Sequence, residues 1–275
     1  MRRALGVFSF VVAVAVSAPL AHGASEPRLV ASGCSVSNVG YLADLAADYE
    51  KLTGVRMFVR GGGSVIGLED LASGRADLAA SCRGRIAADP LDVEFIQVAW
   101  DALVFLVHPS NPIDSISFAD AAGVFGGTLR DWRRLGGPAG PIQVFLQRPT
   151  TGLSGVESSI RALVLKGAPP SRGSSVAELA STGIVEQLIE KTPAGFGASG
   201  YSSARRRAVK MLALDGVRPT RTAIIDRSYP LRRPLYLIVK TPPRAEVKAF
   251  VNFALSARGQ QLIDSYGVIP LRTLR

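Results

Sequence analysis

Residues 55–71, VRMFVRGGGSVIGLEDL, pass from a strand pattern to a helix pattern through three consecutive glycines. The run from Val55 to Arg60 predicts a strand, and the run from Val65 to Leu71 predicts a helix. Glycines let the backbone approach a ligand closely, and the N–H groups of a helix's first turn lack partners within the helix. The stretch therefore predicts a turn that offers N–H groups to an anion such as phosphate. A tight turn with Ser64 as the helix N-cap explains the same residues.

Nucleotide-binding loops have a different spacing. A dinucleotide fingerprint needs a third glycine where the chain has Ile66, and Gly67 comes one position late. The Gly-Lys-Ser/Thr sequence of a triphosphate-binding loop occurs nowhere in the chain. A nucleotide is therefore a poor candidate for the ligand of this turn.

Strand and helix patterns alternate along the whole chain. Apolar residues recur at helical spacing after a strand pattern at Arg28–Ser32, at Leu42, Leu45, Ala46 and Tyr49. They do so again near the C-terminus, at Val247, Phe250, Val251 and Ala254. Continuous apolar runs, typical of strands covered on both faces, occupy 102–107, 142–146 and 235–239. The alternation predicts an α/β architecture with largely parallel sheets.

The first 23 residues have the composition of a secretory signal peptide. Arg2 and Arg3 precede an apolar run from Ala4 to Ala18, and Ala21-His22-Gly23 supplies the small-x-small pattern of a cleavage site. We expect residues 1–23 to be removed and the mature protein, about 250 residues long, to be exported to the periplasm.

The chain is basic, with a formal net charge of +10. The basic residues are scattered apart from the run Arg205–Arg207, and no basic face is interleaved with aromatic residues. We therefore expect no nucleic-acid partner. The positive charge would instead raise the encounter rate with a small anion.

Cys34 and Cys82 are the two cysteines of the chain. In an oxidising compartment, an even pair most often forms one disulfide. Both cysteines follow predicted strands, and neighbouring strands of one sheet would bring them within bonding range. Metal binding has less support, because removal of the signal peptide leaves His108 as the sole histidine. No cofactor is expected.

Several segments, read in order, resemble the periplasmic phosphate-binding component of the phosphate ABC transporter. The motifs that carry the resemblance are Gly33–Ser37 (GCSVS), Gly61–Ser64 (GGGS), Ala76–Arg83 (ADLAASCR), Asp101–Pro112 (DALVFLVHPSNP), Phe125–Leu135 (FGGTLRDWRRL), Arg148–Gly155 (RPTTGLSG), Tyr229–Tyr236 (YPLRRPLY) and Ser256–Gln260 (SARGQ). They cover nearly all of the mature chain, and their common order is more specific than any one motif.

The resemblance implies a two-lobed periplasmic binding protein of the type II kind. Each lobe would be a mixed, mostly parallel sheet flanked by helices. The first lobe would comprise residues 24–107 and 232–275, and the second would comprise residues 108–231. Two hinge crossings, near residues 107–108 and 229–234, would join the lobes. The implied partners are inorganic phosphate and the membrane permease of an ABC transporter, and the implied protein is a monomer.

The resemblance also implies a set of ligand-binding residues on both lobes. The first lobe would contribute Ser35, Ser37, Gly63, Ser64 and Arg83, and the second would contribute Arg148, Thr151, Gly152 and Ser154. Hydroxyls near helix starts can accept from a backbone N–H and still donate a proton to a ligand. Arg148 would add a forked, charged contact, although a surface salt bridge is its alternative role. For Arg83 the alternative is a structural ion pair.

One position departs from the family pattern in a way that affects specificity. Many phosphate receptors have an aspartate where this chain has Cys82, and that carboxylate accepts the proton of hydrogen phosphate and repels sulfate. Asp101 and Glu157 are possible substitutes in this chain. Without an acceptor, a receptor loses one penalty against sulfate. Sulfate, molybdate or another tetrahedral oxyanion is therefore the alternative ligand, and phosphate sensing is the alternative role.

A secreted hydrolase is the alternative from another class of protein. The segments Gly152–Gly155 and Gly197–Gly200 each miss the Gly-x-Ser-x-Gly nucleophile motif by one residue. A serine–histidine pair would have to use His108, which lies at the expected crossing between the lobes. We therefore expect a protein that is not an enzyme.

Overall fold

A computed structural model describes residues 28–148 and 154–271 of the chain. The predicted signal peptide, Thr151 and Gly152 lie outside these residues. Within the described ranges, no helix combines the length and the apolar character needed to cross a bilayer.

Twelve strands are present in the described ranges: β1 (Arg28–Gly33), β2 (Arg56–Gly61), β3 (Leu78–Ser81), β4 (Val93–Val107), β5 (Ser115–Ile116), β6 (Gln143–Gln147), β7 (Val176–Leu179), β8 (Gly195–Gly200), β9 (Lys210–Met211), β10 (Ala213–Leu214), β11 (Arg232–Lys240) and β12 (Ile269–Pro270). The α-helices are α1 (Ser35–Ser37), α2 (Ala43–Thr53), α3 (Ser64–Ala72), α4 (Phe118–Gly126), α5 (Gly155–Ser159), α6 (Thr182–Ile189), α7 (Tyr201–Ala204), α8 (Arg221–Ile225), α9 (Ala245–Leu255) and α10 (Ala257–Ser265). Two π-helical turns, Asn38–Leu42 and Ile160–Val164, follow α1 and α5, and a 3-10 turn spans Trp132–Leu135.

The main sheet is mixed but mostly parallel at its two ends. Its strand order is β2-β1-β3-β11-β4-β8-β6-β7, with β9 and β12 also paired to β4. The strands β2, β1 and β3 pair in parallel, as do β8, β6 and β7. The antiparallel pairs are β11 with β3 and β4, and β8 with β4. These pairings confirm the predicted α/β class.

The long strand β4 belongs to both halves of the sheet. Its residues 93–102 pair with β11, whereas Leu103–Val107 pair with β8. We call β1, β2, β3, β11 and residues 93–102 of β4 the sheet of the first lobe, and β6, β7, β8 and residues 103–107 of β4 the sheet of the second lobe. The chain passes between the lobes in β4 and again just before β11. The change of partner at Ala102 lies five residues before the predicted end of the first segment, and the predicted lobe limits stay a prediction.

The two crossing segments are hydrogen-bonded to each other. The N–H of Leu103 donates to the carbonyl of Leu231 at 2.8 Å, and the hydroxyl of Tyr229 donates to the carbonyl of Leu103 at 3.0 Å. Both Leu103 and Tyr229 are fully buried. The crossings therefore form one packed junction beneath the cleft.

The apolar positions predicted from periodicity pack in the core. The residues Leu42, Leu45, Ala46 and Tyr49 are buried beneath the first lobe's sheet, as are Val247, Phe250, Val251 and Ala254. In the second lobe, Phe196 lies 5.2 Å from Phe125 and 6.0 Å from Phe105 between ring centroids. Such aromatic contacts add to the burial of apolar surface. Each lobe thus has a packed apolar core on its own side of the junction.

Candidate functional site

A small cavity lies where the glycine turn of the first lobe faces the end of β6 in the second lobe. Its lining residues are Gly62, Gly63, Val65, Ile66, Gln147, Arg148 and Ser154. Three of the predicted ligand residues, Gly63, Arg148 and Ser154, therefore meet at this cavity. Of the described residues that line it, Arg148 is the one with a formal charge.

The glycine turn places the start of α3 at the cavity. Gly63 is the helix N-cap with φ 132°, a conformation that side-chain-bearing residues rarely adopt. Its own N–H donates to the carbonyl of Gly33 at 2.9 Å, which ties the turn to the end of β1. The prediction of Ser64 as N-cap is wrong, because the helix already includes Ser64. The first N–H groups of this nine-residue helix have no helical partners and can receive an anion.

Ser64 is fully buried at the start of α3 and connects it to β3. Its Oγ accepts the N–H of Cys82 at 3.4 Å. A hydroxyl that accepts one hydrogen bond still has a proton to donate. The accepting half of the predicted arrangement is therefore present, and the contact of Ser64 with a ligand stays a prediction.

A disulfide joins Cys34 and Cys82, with 6.2 Å between their Cα atoms. It links the turn before α1 to the end of β3, and both cysteines are buried. The next residue along, Ser35, lies against the glycine turn, since a methyl group on Gly61 would come within 3.2 Å of Ser35 Oγ. Ser37 is fully buried in α1. The disulfide therefore fixes the strand ends from which the predicted first-lobe serines extend.

The second lobe contributes Arg148 and Ser154 from the connection between β6 and α5. Arg148 is exposed, and its backbone N–H donates to the carbonyl of Leu179 at 2.7 Å. Ser154 is buried as the N-cap of α5, where its Oγ accepts the N–H of Glu157 at 3.1 Å. Thr151 and Gly152, also predicted, lie outside the described residues.

Two contacts close the cleft across the lobes. The amide of Gln147 donates to the carbonyl of Gly62 at 3.0 Å and accepts from the hydroxyl of Thr182 at 3.0 Å. Gly155 packs so tightly that a methyl group there would lie 2.8 Å from Ser64 Oγ and closer still to Cys82 Sγ. The sequence reasoning missed Gln147. Its signal was a polar residue at the carboxyl end of an apolar strand, the position at which α/β proteins bind ligands.

Arg83 is not among the described residues that line this cavity. Its guanidinium makes two hydrogen bonds of 2.7 Å to the two carboxylate oxygens of Asp89, and both side chains are 4% exposed. The two residues line a second surface pocket with Leu68 and Pro90, and Val65 of α3 borders both this pocket and the cavity. This is the structural ion pair considered above as the alternative, and the ligand role of Arg83 stays a prediction.

The two candidate proton acceptors have different surroundings. Asp101 is buried in an ion pair with Arg233, 3.1 Å apart, and its other oxygen accepts the N–H of Ser202 at 2.9 Å. Glu157 is also buried, and one of its oxygens pairs with Arg172 at 2.9 Å. Its second oxygen, Oε2, has no hydrogen-bond partner within the described chain. Glu157 therefore retains an accepting oxygen on the first turn of α5, whereas both oxygens of Asp101 are engaged.

Comparison with known proteins gives a consistent family. The model of the PBP superfamily domain matches residues 21–258. The phosphate-binding protein PstS of Borreliella burgdorferi is 27% identical over 186 residues, which cover 64% of this chain and 65% of that protein, just under two thirds of its length. PstS of Pseudomonas aeruginosa PAO1 is 28% identical over 318 aligned positions, which cover 98% of this chain and 95% of that protein.

The fold also matches solved structures. A Clostridium perfringens protein described as a phosphate ABC transporter substrate-binding protein, solved with bound phosphate, superposes with a TM-score of 0.77. It is 20% identical, and the match covers 89% of this chain and 99% of that one. This likeness supports the two-lobed fold. With a family model that covers most of its length, the chain belongs to the PBP superfamily, as its resemblance to substrate-binding proteins predicted.

Proposed function

We propose that the protein is a non-catalytic receptor that binds inorganic phosphate between its lobes and delivers it to the permease of an ABC transporter. The observation that carries the proposal is the cavity itself. Donors from both lobes converge there, and Arg148 supplies the one formal charge among the residues that line it. PstS of Pseudomonas aeruginosa PAO1 is named as a phosphate-binding protein, and its alignment covers nearly the whole chain. This similarity supports the same ligand.

The donors suit an oxyanion that leaves water. An anion that enters the cleft loses hydration, so the site must supply fixed donors in return. The start of α3 supplies backbone N–H groups, Ser64 and Ser154 supply hydroxyls, and Arg148 supplies a charge-assisted contact. The predicted residues Ser35, Ser37, Arg83, Thr151 and Gly152 would complete this set.

Selection of phosphate over sulfate needs an acceptor for the phosphate proton. The sulfur of Cys82 belongs to a disulfide and carries no negative charge. We assign the acceptor to Glu157, because its buried Oε2 has no hydrogen-bond partner among the described residues and its N–H donates to Ser154 of the cavity lining. Sulfate has no proton to donate, so a carboxylate there would repel it.

The predicted signal peptide gives the proposed location of the receptor. Residues 1–23 would direct export, and the mature receptor would act as a periplasmic monomer. Residues 24–107 and 232–275 would form one lobe and residues 108–231 the other. The same cleft would serve a phosphate sensor, which differs only in the membrane partner that reads the closed form.

Isothermal titration of the mature protein with phosphate, sulfate and molybdate tests the ligand. We expect one phosphate per chain and weaker binding of the other two anions. Tighter binding of sulfate or molybdate than of phosphate would show that phosphate is not the preferred ligand. Incubation with a chromogenic phosphate ester tests the non-catalytic role, and turnover that saturates with substrate would contradict it.

A further inference from the structure

A buried ion pair lies at the junction of the two crossing strands. Asp101 on β4 and Arg233 on β11 are paired in register, and they are 1% and 3% exposed. Arg233 donates to one carboxylate oxygen of Asp101 through Nε at 3.3 Å and through Nη2 at 3.1 Å. Burial lowers the pKa of Arg233, and the negative charge of Asp101 opposes that shift. The pair is therefore a fixed charged element of the junction.

The third nitrogen of Arg233 reaches into the second lobe. Its Nη1 donates to Ser159 Oγ at 3.1 Å, and both groups are buried. The hydroxyl of Ser159 in turn donates to the carbonyl of Gly155 at 2.8 Å. One hydroxyl thus connects the junction to the first residue of α5.

Gly155 is the residue of α5 that contacts the first lobe across the cleft. It packs on Ser64 and Cys82, and it follows Ser154, which lines the cavity. A continuous path of hydrogen bonds therefore runs from Asp101 through Arg233 and Ser159 to the surface on which the lobes close.

The helix that carries this contact is short. α5 has five residues, and the π-helical turn Ile160–Val164 follows it directly. A helix this short derives its position from tertiary contacts rather than from its own hydrogen bonds. The hydroxyl of Ser159 is such a contact, and it is made to a charged donor, which strengthens it.

We propose that Ser159 is a positioning residue for the cleft, which holds the first turn of α5 in the orientation that receives the ligand. This inference rests on the proposed function, because it assumes that the cavity beside Ser154 binds phosphate. Loss of the hydroxyl would leave Arg233 Nη1 and the Gly155 carbonyl without this partner, and α5 would lose its fixed distance from the junction.

The test compares Ser159→Ala with Ser158→Ala and Ser159→Thr. Ser158 is the half-buried neighbour in the same helix, and its backbone N–H donates to the carbonyl of Ser154. We expect Ser159→Ala to weaken phosphate binding about tenfold, as loss of a charge-assisted hydrogen bond would. Ser158→Ala should bind within about twofold of wild type, and Ser159→Thr, which retains the hydroxyl, should recover most of the affinity. Equal affinities for the two alanine variants would overturn the inference.

Amide hydrogen exchange of the ligand-free proteins separates this inference from the proposed function. The peptide that spans residues 154–165 should exchange faster in Ser159→Ala than in wild type or Ser158→Ala, while peptides from the first lobe should not change. Unchanged exchange in that peptide would also overturn the inference. A wild-type protein that fails to bind phosphate, with the exchange difference present, would overturn the phosphate function and leave the positioning role of Ser159 supported.

Discussion

Arg148 is the residue on which the charge balance of the cavity depends. It is exposed at the end of β6 and lines the cavity together with Ser154 and Gly63. An arginine that lines a cleft can place two parallel donors on one oxyanion. If Arg148 were instead a solvated surface cation, it would contribute little free energy to ligand binding. Substitution of Arg148 therefore distinguishes a ligand contact from a surface charge.

Arg148→Ala should weaken phosphate binding at least about 30-fold, since removing one partner of a desolvated charge pair costs about 2–5 kcal/mol. Arg148→Lys should recover only part of the loss, because a point charge lacks the planar fork. Titration calorimetry measures both variants, with circular dichroism to establish that they fold. Affinity within a few fold of wild type for the alanine variant would remove Arg148 from the site.

Glu157→Gln should reduce the preference for phosphate over sulfate, by about tenfold if its carboxylate accepts the phosphate proton. The matched control is Glu178→Gln, since Glu178 pairs with the same Arg172 but is half-buried on β7. Competition of sulfate against bound phosphate measures the preference. A preference unchanged by Glu157→Gln would show that another group accepts the proton.

Asp89→Asn should make the protein's stability less sensitive to acid. Burial alone would raise the pKa of Asp89, but hydrogen bonds from Arg83 and the Ile86 N–H, together with the charges of Arg83 and Arg85, lower it below 3.8. A carboxylate with a lowered folded-state pKa adds stability above its unfolded pKa, and that stability is lost as the pH falls through the folded-state pKa. The wild type should therefore lose stability below about pH 4 more steeply than the variant.

Urea denaturation at neutral pH and in acid measures this difference in slope. Asp89→Asn should be less stable than wild type at neutral pH, because Arg83 loses its bidentate partner. Asp92→Asn, an exposed substitution three residues away, is the control. Parallel acid profiles for wild type and Asp89→Asn would contradict the role given to the ion pair.

At the scale of elements, the start of α5 decides whether the lobes can meet. Gly155→Ala should reduce phosphate affinity strongly and leave the free energy of unfolding of each lobe nearly unchanged. The added methyl group would collide with Cys82 and Ser64 only when the cleft is closed. Gly126→Ala in α4 is the control, since a methyl group there meets no atom within 4 Å. Titration and thermal unfolding of both variants decide the matter, and a phosphate affinity of Gly155→Ala equal to the control would contradict the described contact.

The sequence predicts the elements better than their exact ends. The helical spacing of Leu42 to Tyr49 and the apolar run at 235–239 locate α2 and β11, because burial imposes those patterns directly. The π-helical turns after α1 and α5 leave no such pattern in the sequence.

The same limit applies to the site. The predicted glycine turn, Arg148 and Ser154 meet at one cavity because β2 of the first lobe and β6 of the second lobe both have their carboxyl ends at the cleft. Gln147 and Ser159 were missed, because their roles depend on partners 85 and 74 residues away in the chain. Ser64 does not cap α3, because Gly63 occupies the N-cap position. Its hydroxyl instead accepts the N–H of Cys82.

In the whole molecule, two lobes are joined by β4 and by the segment before β11. We expect the lobes to rotate about these two crossings. The described arrangement is closed, because Gln147 bonds to Gly62 and Gly155 packs on Ser64. A ligand that contacts both lobes stabilises the closed state in proportion to its preference for that state over the open one. Phosphate should therefore shift the population toward the arrangement described above.

Small-angle X-ray scattering of the mature protein, with and without saturating phosphate, tests this claim most directly. The account predicts that the phosphate-saturated protein is more compact than the ligand-free protein and that its scattering matches the closed arrangement. The Gly155→Ala variant should keep the scattering of the open form at the same phosphate concentration. Identical scattering of the wild-type protein in both conditions, with phosphate binding established by titration, would contradict the account of a cleft that closes on its ligand.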